Sequence, residues 1–273
     1  MNKSLVKLVR SLEYKKHRTE ERLFVAEGTK TVGDLMSRFA PHTVIATREW
    51  WDNAADDARM RNLPAHARRV VVTDDELRRI SFLQHPQQVM TLFGLPDDTT
   101  TVSADGNGDT SAPASLTLSL DGIQDPGNLG TIIRTADWFG IRRIVCSRDT
   151  ADAYAPKVVQ ATMGSLARVD VTYTDLSVYL ASLDERTKIY GTFLDGDDIY
   201  SLQLEPTGVI VMGNEGRGIS EDVARQVTHR LTIPRFTAGK TGDTAGTSPD
   251  SLNVAVAAAI VCSQFRYGRT SVS

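Results

Sequence analysis

Arg134 is the first side chain that asks for a chemical explanation. It stands in the stretch Leu120–Gly140, which reads LDGIQDPGNLGTIIRTADWFG. Leu129, Ile132, Ile133, Ala136 and Phe139 form one apolar stripe at helical spacing, and Arg134 lies off it, on the side of Gly130 and Thr131. Before the helix come the turn formers Asp125, Pro126 and Gly127, and before them the alternation Leu116, Leu118, Leu120, which predicts a strand. Asn128 is placed to cap the helix and Gly140 to stop it. A strand, a glycine turn and a helix with a cation on its open face make a ligand mouth. An ordinary βα unit with a solvated arginine would carry the same residues.

Two later segments have the same make. The apolar run Val209–Met212 predicts a strand buried on both faces and ends in GNEGRGIS, Gly213–Ser220. The short strand Leu231–Pro234 is followed by Arg235–Asp250, a polar loop longer than a compact domain normally needs, and then by the apolar helix SLNVAVAAAIVCSQF, Ser251–Phe265. In parallel α/β sheets ligands collect at the carboxyl ends of strands. The glycines of GNEGRG do not fall in the G-x-G-x-x-G order, and the chain holds no G-x-x-x-x-G-K-[ST] loop. These turns suit a ligand approached closely by backbone, without a pyrophosphate cradle. A nucleotide-cofactor oxidoreductase is disfavoured on that ground and by the lack of a well-placed acid for the ribose.

The elements that must position these turns alternate along the chain. LFVAEG predicts a strand, Thr29–Phe39 a helix, His42–Thr47 and Val70–Thr73 strands, with Trp50–Met60 helical between them. Asp74–Ile80 reads as a helix and Val89–Gly94 as a strand, so residues 1–95 form a small α/β domain. Pro96–Ser115 is nearly devoid of apolar residues and reads as a flexible linker, 96–115. The second domain, 116–273, continues with strands at Ile144–Ser147, Arg168–Tyr173 and Lys188–Phe193, and helices opened by Pro156 and Asp175. The fold class is α/β, a parallel sheet with helices on both faces. Ahead of it, Lys3, Lys7, Arg10, Lys15, Lys16, Arg18 and Arg22 interleave with Leu5, Leu8, Val9 and Leu12, a helix with one apolar stripe and one cationic face. Such a face suits phosphate contacts, or is simply solvated.

The totals narrow the class further. A chain of 273 residues with 41% hydrophobic and 24% charged residues is of the soluble globular type. Its longest apolar run, Val254–Cys262, is about half the ~20 residues of a membrane span. MNKSLVKLVRS lacks the apolar core of a signal peptide, so a cytoplasmic setting is expected. The net charge of −3 leaves any nucleic-acid site to a local patch. Cys146 and Cys262 both sit in apolar runs, as core residues do, and no metal-ligand cluster is visible.

DPGNLGTIIRTADWFGI, VIVMGNEGRGI and SLNVAVAAAI, in this order and at these separations, resemble the three motifs of the SpoU (TrmH-type) RNA 2′-O-ribose methyltransferases of the SPOUT superfamily. The similarity covers about Ser115–Tyr267, and LVKLVRSLEYKKHR with LFVAEGTKTV looks like the substrate-binding domain that often precedes it. The resemblance implies a C-terminal trefoil knot, which general folding rules would exclude. It also implies bound S-adenosylmethionine, a homodimer that completes the active site, and no metal.

By the same resemblance, Asn128 and Arg134 come from the first motif, Glu215 from the second, and Ser251 and Asn253 from the third, all as catalytic residues. Gly213, Ile233 and Leu252 match cofactor contacts, with Thr192 and Leu194 at the end of an earlier strand. Lys15, Lys16 and Arg18 are the expected RNA contacts. Ribosomal RNA is favoured over transfer RNA, because a separate recognition domain suits a folded target. A non-catalytic RNA-binding protein of the same fold is the alternative, and the full set Asn128, Arg134, Glu215 and Asn253 argues against it.

Overall fold

The computed structural model describes residues 1–61, 63–96, 115–235 and 251–267. The linker expected at 96–115 and the loop expected at 235–250 fall almost wholly outside the described residues. The chain divides into two compact units. One gathers the N-terminal residues with Leu129–Arg134 and Ala151–Arg168, and the other holds the rest.

The N-terminal elements are helices α1 (Lys3–Ser11) and α2 (Lys15–Glu21), strand β1 (Leu23–Glu27), α3 (Thr29–Leu35), β2 (Pro41–Thr47), α4 (Arg48–Asn53), α5 (Ala58–Arg61), β3 (Arg68–Val72), α6 (Asp74–Ile80) and β4 (Val89–Gly94). The four strands form one sheet in the order β1-β4-β2-β3. Leu5, Val9 and Leu12 of the first helical turns pack with Leu77 and Ile80 over Val25, Ile45, Met90 and Leu92. That burial is why the amphipathic stripe of α1 forms a helix at all, since nine residues alone are too few in water. Helix α6 is closed at its start by a reciprocal Thr73–Glu76 capping box.

Two expectations for this region are corrected. The basic segment before Phe24 is two helices, broken around Tyr14, whose backbone is extended. Arg18 makes the break: its Nη1 donates to the carbonyls of Leu12 and Glu13 at 2.8 and 2.7 Å, satisfying acceptors that the end of α1 leaves open. Residues 50–60 likewise form parts of two short helices, because the Asp57 carboxylate captures the Arg59 amide in a turn.

Glu27 closes the β1 end of this sheet. Its carboxylate is buried and accepts from Ser81 Oγ at 2.5 Å and from the Phe82 amide at 2.8 Å. Burial pushes its pKa above the ordinary carboxylate range, while these two hydrogen bonds and the charge of Arg10 pull the other way. A carboxyl group with a raised folded-state pKa binds its proton more tightly when folded, so this contribution to stability is lost as pH rises through that value. Glu27→Gln is therefore expected to lose less thermal stability than the parent as pH rises above the ordinary carboxylate range. Identical pH profiles by scanning calorimetry would remove this assignment.

The second series is β5 (Leu116–Asp121), α7 (Pro126–Trp138), β6 (Arg143–Ser147), α8 (Pro156–Thr162), β7 (Asp170–Thr174), α9 (Leu176–Ala181), β8 (Ile189–Asp198), β9 (Gly208–Gly213), α10 (Glu221–Ala224), β10 (His229–Thr232) and α11 (Val254–Tyr267). All six strands are parallel, in the order β10-β8-β9-β5-β6-β7. Central β5 is buried along its whole length, as a strand covered on both faces must be. Cys146 and Cys262 are buried and unbridged; burial pushes the Cys262 thiol up to about 12 and that of Cys146 higher still, so both act as apolar side chains. Among the described residues no helix is long and apolar enough to cross a membrane.

Candidate active site

Because every strand of the six-stranded sheet runs the same way, the turns after β5, β6, β8, β9 and β10 share one edge. The turn after β9 is hydrogen-bonded both within itself and to its neighbour. The Asn214 and Gly218 backbones exchange hydrogen bonds at 3.0 and 2.8 Å, and Asn214 Oδ1 accepts from the amides of Gly216 and Arg217. Asn214 Nδ2 then donates to the carbonyl of Gly122 at 2.7 Å, tying this turn to the one after β5. Asp121, buried at the end of β5, accepts from the Ser220 amide at 2.7 Å and holds the far side of the same turn. On the β6 side, Ser147 Oγ accepts from the Gly122 amide at 2.8 Å and donates to Asp149 Oδ1 at 2.6 Å.

This frame presents Glu215 at an exposed tip. Its Oε1 accepts a short hydrogen bond from Asn128 Nδ2. Asn128 Oδ1 in turn accepts from Asn253 Nδ2 at 3.0 Å. Asn253 Oδ1 accepts from the amides of Ala255 and Val256, capping α11. The three sequence motifs thus meet in one hydrogen-bonded chain, Glu215–Asn128–Asn253. The carboxylate is acceptor-only, so it fixes the Asn128 amide with its oxygen toward Asn253.

Asn128 is not the helix cap that the sequence suggested. Asp125 fills that position, accepting from the Asn128 amide at 2.8 Å, with Pro126 opening the helix. The Asn128 side chain is thereby free to reach the other two motifs. Six residues on, Arg134 is exposed on α7 and makes no hydrogen bond or ion pair to a described residue. Ser251 is exposed and lies outside the hydrogen-bonded chain.

Four of the five expected cofactor residues fall on or next to the neighbouring strands β8, β9 and β10, and the fifth precedes α11. Thr192 and Leu194 lie in β8, Gly213 ends β9, Ile233 directly follows β10, and Leu252 precedes α11. Thr192 Oγ1 donates to the Val211 carbonyl at 3.1 Å, and Thr232 Oγ1 to that of Leu194 at 3.3 Å. Leu194 and Leu252 are 81% and 49% exposed, so large apolar side chains stand open at this edge. Apolar side chains beside close-packed glycine backbone fit the adenosine of S-adenosylmethionine.

Of the expected RNA contacts, Lys15 and Lys16 are exposed on α2. Arg18 is a correction. It is 3% exposed, and besides the two α1 carbonyls its guanidinium meets Asp152 Oδ2 at 2.5 Å, within the same compact unit. Spent on those partners, it is a structural residue rather than part of the open basic face.

Residues that sequence reasoning passed over are Asp121, Ser147, Asp149 and Asn214. Only Asn214 carried a signal, as an Asx-turn former inside a glycine turn.

Comparison with known proteins places this geometry. Residues 115–263 match the SpoU rRNA Methylase family, and residues 3–91 the MRM3-like substrate binding domain. A Bacillus subtilis protein named 23S rRNA (guanosine(2553)-2'-O)-methyltransferase RlmP is 28% identical, over 96% of this chain and 95% of its own. The structure of a putative RNA methyltransferase of the TrmH family from Porphyromonas gingivalis is 38% identical, covers 98% of both chains and superposes with a TM-score of 0.77. An AdoMet-bound rRNA methyltransferase from Sinorhizobium meliloti is 27% identical over 99% of this chain and 96% of that one, with a TM-score of 0.76. Hydrogen-bonded across its three motifs and matched over more than half its length, the chain belongs to the SpoU family of S-adenosylmethionine-dependent RNA ribose methyltransferases, with the SPOUT fold.

Proposed function

We propose that this enzyme methylates a ribose 2′-hydroxyl of ribosomal RNA, in the large-subunit RNA, and works as a cytoplasmic homodimer. The observation that carries the reading is the chain Glu215–Asn128–Asn253 at the strand edge that also bears Thr192, Leu194, Gly213, Ile233 and Leu252. The ribosomal target is supported by the substrate-binding module at residues 3–91 and by the printed activity of the Bacillus relative. The dimer is supported by Trp138, 84% exposed on α7, and by Val256 and Tyr267, 50% and 68% exposed on one side of α11. The knot implied by the family resemblance belongs to the same proposal.

S-adenosylmethionine supplies an electrophilic methyl group when bound. The protein's own side chains must then line up the ribose oxygen and favour loss of its proton. Asn128 and Asn253, held by Glu215, orient the hydroxyl, with Ser251 beside them in the third motif. Arg134, an exposed cation without a protein partner among the described residues, binds the adjacent phosphate and stabilises negative charge developing on the oxygen. A guanidinium group holds its proton at ordinary pH, so this electrostatic role suits it better than that of a base.

The test is transfer of radiolabelled methyl groups to unmodified 23S rRNA and tRNA transcripts, with the 2′-O-methyl position mapped and particle mass measured by sedimentation. Methylation of tRNA alone would overturn the target, and a single-chain mass would overturn the dimer. Calorimetry separates the alternative, since a non-catalytic RNA-binding protein of this fold would bind RNA without S-adenosylmethionine affinity.

The basic face yields its own prediction. Lys15 and Lys16 are exposed, and Lys16 meets Glu20 at 3.8 Å in a solvated pair worth little. Lys15→Ala with Lys16→Ala is expected to weaken RNA binding and to reduce the log–log salt slope by roughly 0.7–0.9 per lost phosphate contact. An unchanged slope would return these lysines to a merely solvated face.

A further inference from the structure

Arg217 stands two residues past Glu215 on the turn after β9, and its geometry points to a contact with the RNA backbone. We propose that Arg217 holds a phosphate of the substrate RNA, and that Asp149 keeps the guanidinium waiting at the site. The inference rests on the methyltransferase reading above and names a substrate-binding residue within it.

Four observations carry it. Arg217 is anchored at its backbone, because its amide donates to Asn214 Oδ1 at 3.1 Å in the turn that presents Glu215. Its guanidinium, by contrast, is loosely engaged. Nη2 lies 3.4 Å from Asp149 Oδ2, with the two side chains 67% and 54% exposed. An ion pair that long and that solvated contributes little and is readily exchanged. Asp149 is fixed from the other side, since its Oδ1 accepts from Ser147 Oγ, which itself receives the Gly122 amide. Above Gly122, whose φ is +70°, an added Cβ would lie 3.2 Å from Asp149 Oδ2 and 3.4 Å from Arg217 Nη2. The pair therefore lies directly over the turn between β5 and α7, on the exposed side of the candidate site.

An exposed cation on a rigid turn, held by one carboxylate at the limit of contact, is suited to exchange that partner for a phosphodiester. A phosphate offers charge-assisted, bidentate hydrogen bonds that the present geometry lacks. The carboxylate is then a competitor for the cation, so removing its charge should help RNA where removing the arginine hurts it. A latch that merely supported the loops would respond to both changes in the same direction.

The test uses the full chain with unmodified 23S rRNA transcript and radiolabelled S-adenosylmethionine. Arg217→Ala is expected to raise KM for RNA about tenfold, with turnover at saturating RNA and cofactor affinity within about twofold. The salt slope of RNA binding should fall by about 0.7–0.9. Arg217→Lys, which keeps charge but loses the planar fork, should recover part of the KM. Asp149→Asn keeps an acceptor for Ser147 and should lower KM by up to about fivefold. Losses of the same sign in Arg217→Ala and Asp149→Asn, an unchanged RNA KM, or a loss confined to cofactor affinity would each overturn the proposal. Absence of methyl transfer by the parent protein would instead count against the enzymatic reading, so the two failures are distinct.

Discussion

Replacing Arg134 with alanine is expected to lower the rate of methyl transfer by about 10²-fold or more, with thermal stability nearly unchanged. The two halves of that expectation have separate causes. Stability is spared because Arg134 lies off the buried stripe Leu129, Ile132, Ile133 and Ala136, is exposed and has no protein partner among the described residues. Rate is lost because a cation placed where negative charge develops stabilises the transition state more than the ground state. Arg134→Lys should recover only part of the rate, since it restores the charge without the fork that grips phosphate in two places. Single-turnover transfer measured across pH separates the roles. If Arg134 were the base, the rate would still be climbing at the highest usable pH. Full activity in Arg134→Ala would sink both versions.

Gly213→Ala should be as damaging by a different route. A Cβ at Gly213 would sit 2.3 Å from the Gly218 carbonyl carbon, 2.4 Å from the Ile219 nitrogen and 2.6 Å from the Gly218 oxygen. All three are backbone atoms of the turn that carries Glu215, so no side chain can swing aside to relieve the clash. Overpacking of this kind costs roughly 1–3 kcal/mol, enough to lower Tm by several degrees. The displaced turn should weaken S-adenosylmethionine binding by at least about tenfold, and a shift of Glu215 by about 1 Å should cost on the order of 10²-fold in turnover. Gly208→Ala is the control. Gly208 opens the same strand, has φ +97°, and its Cβ would lie 2.4 Å from the Lys188 carbonyl oxygen. It should cost comparable stability with little change in cofactor affinity. Equal cofactor losses in the two variants, measured by calorimetry on folded protein, would show general destabilisation rather than a site at Gly213.

The sequence by itself determined what depends on spacing between near neighbours. Val89–Gly94 is a strand with the bounds its composition predicted, and Arg134 faces outward because a period of 3.6 assigns each residue of a helix to one side. The glycine-marked turns after β5 and β9 were legible for the same reason. Tertiary structure alone decided which side chains meet. Asn128 read as a cap, but Asp125 took that role and left Asn128 to join Glu215, 87 residues away, and Asn253, 125 residues away. Arg18 read as one more cation of a basic face, yet it turns inward onto two carbonyls at the end of α1 and onto Asp152. Asp121 and Asp149 carried no local signature, because their partners Ser220 and Arg217 come from a different strand end. A helical or strand period records the face a residue turns toward the core. Hydrogen bonds between distant segments leave no period, and they exist only once the parallel sheet has brought its strand ends to one edge.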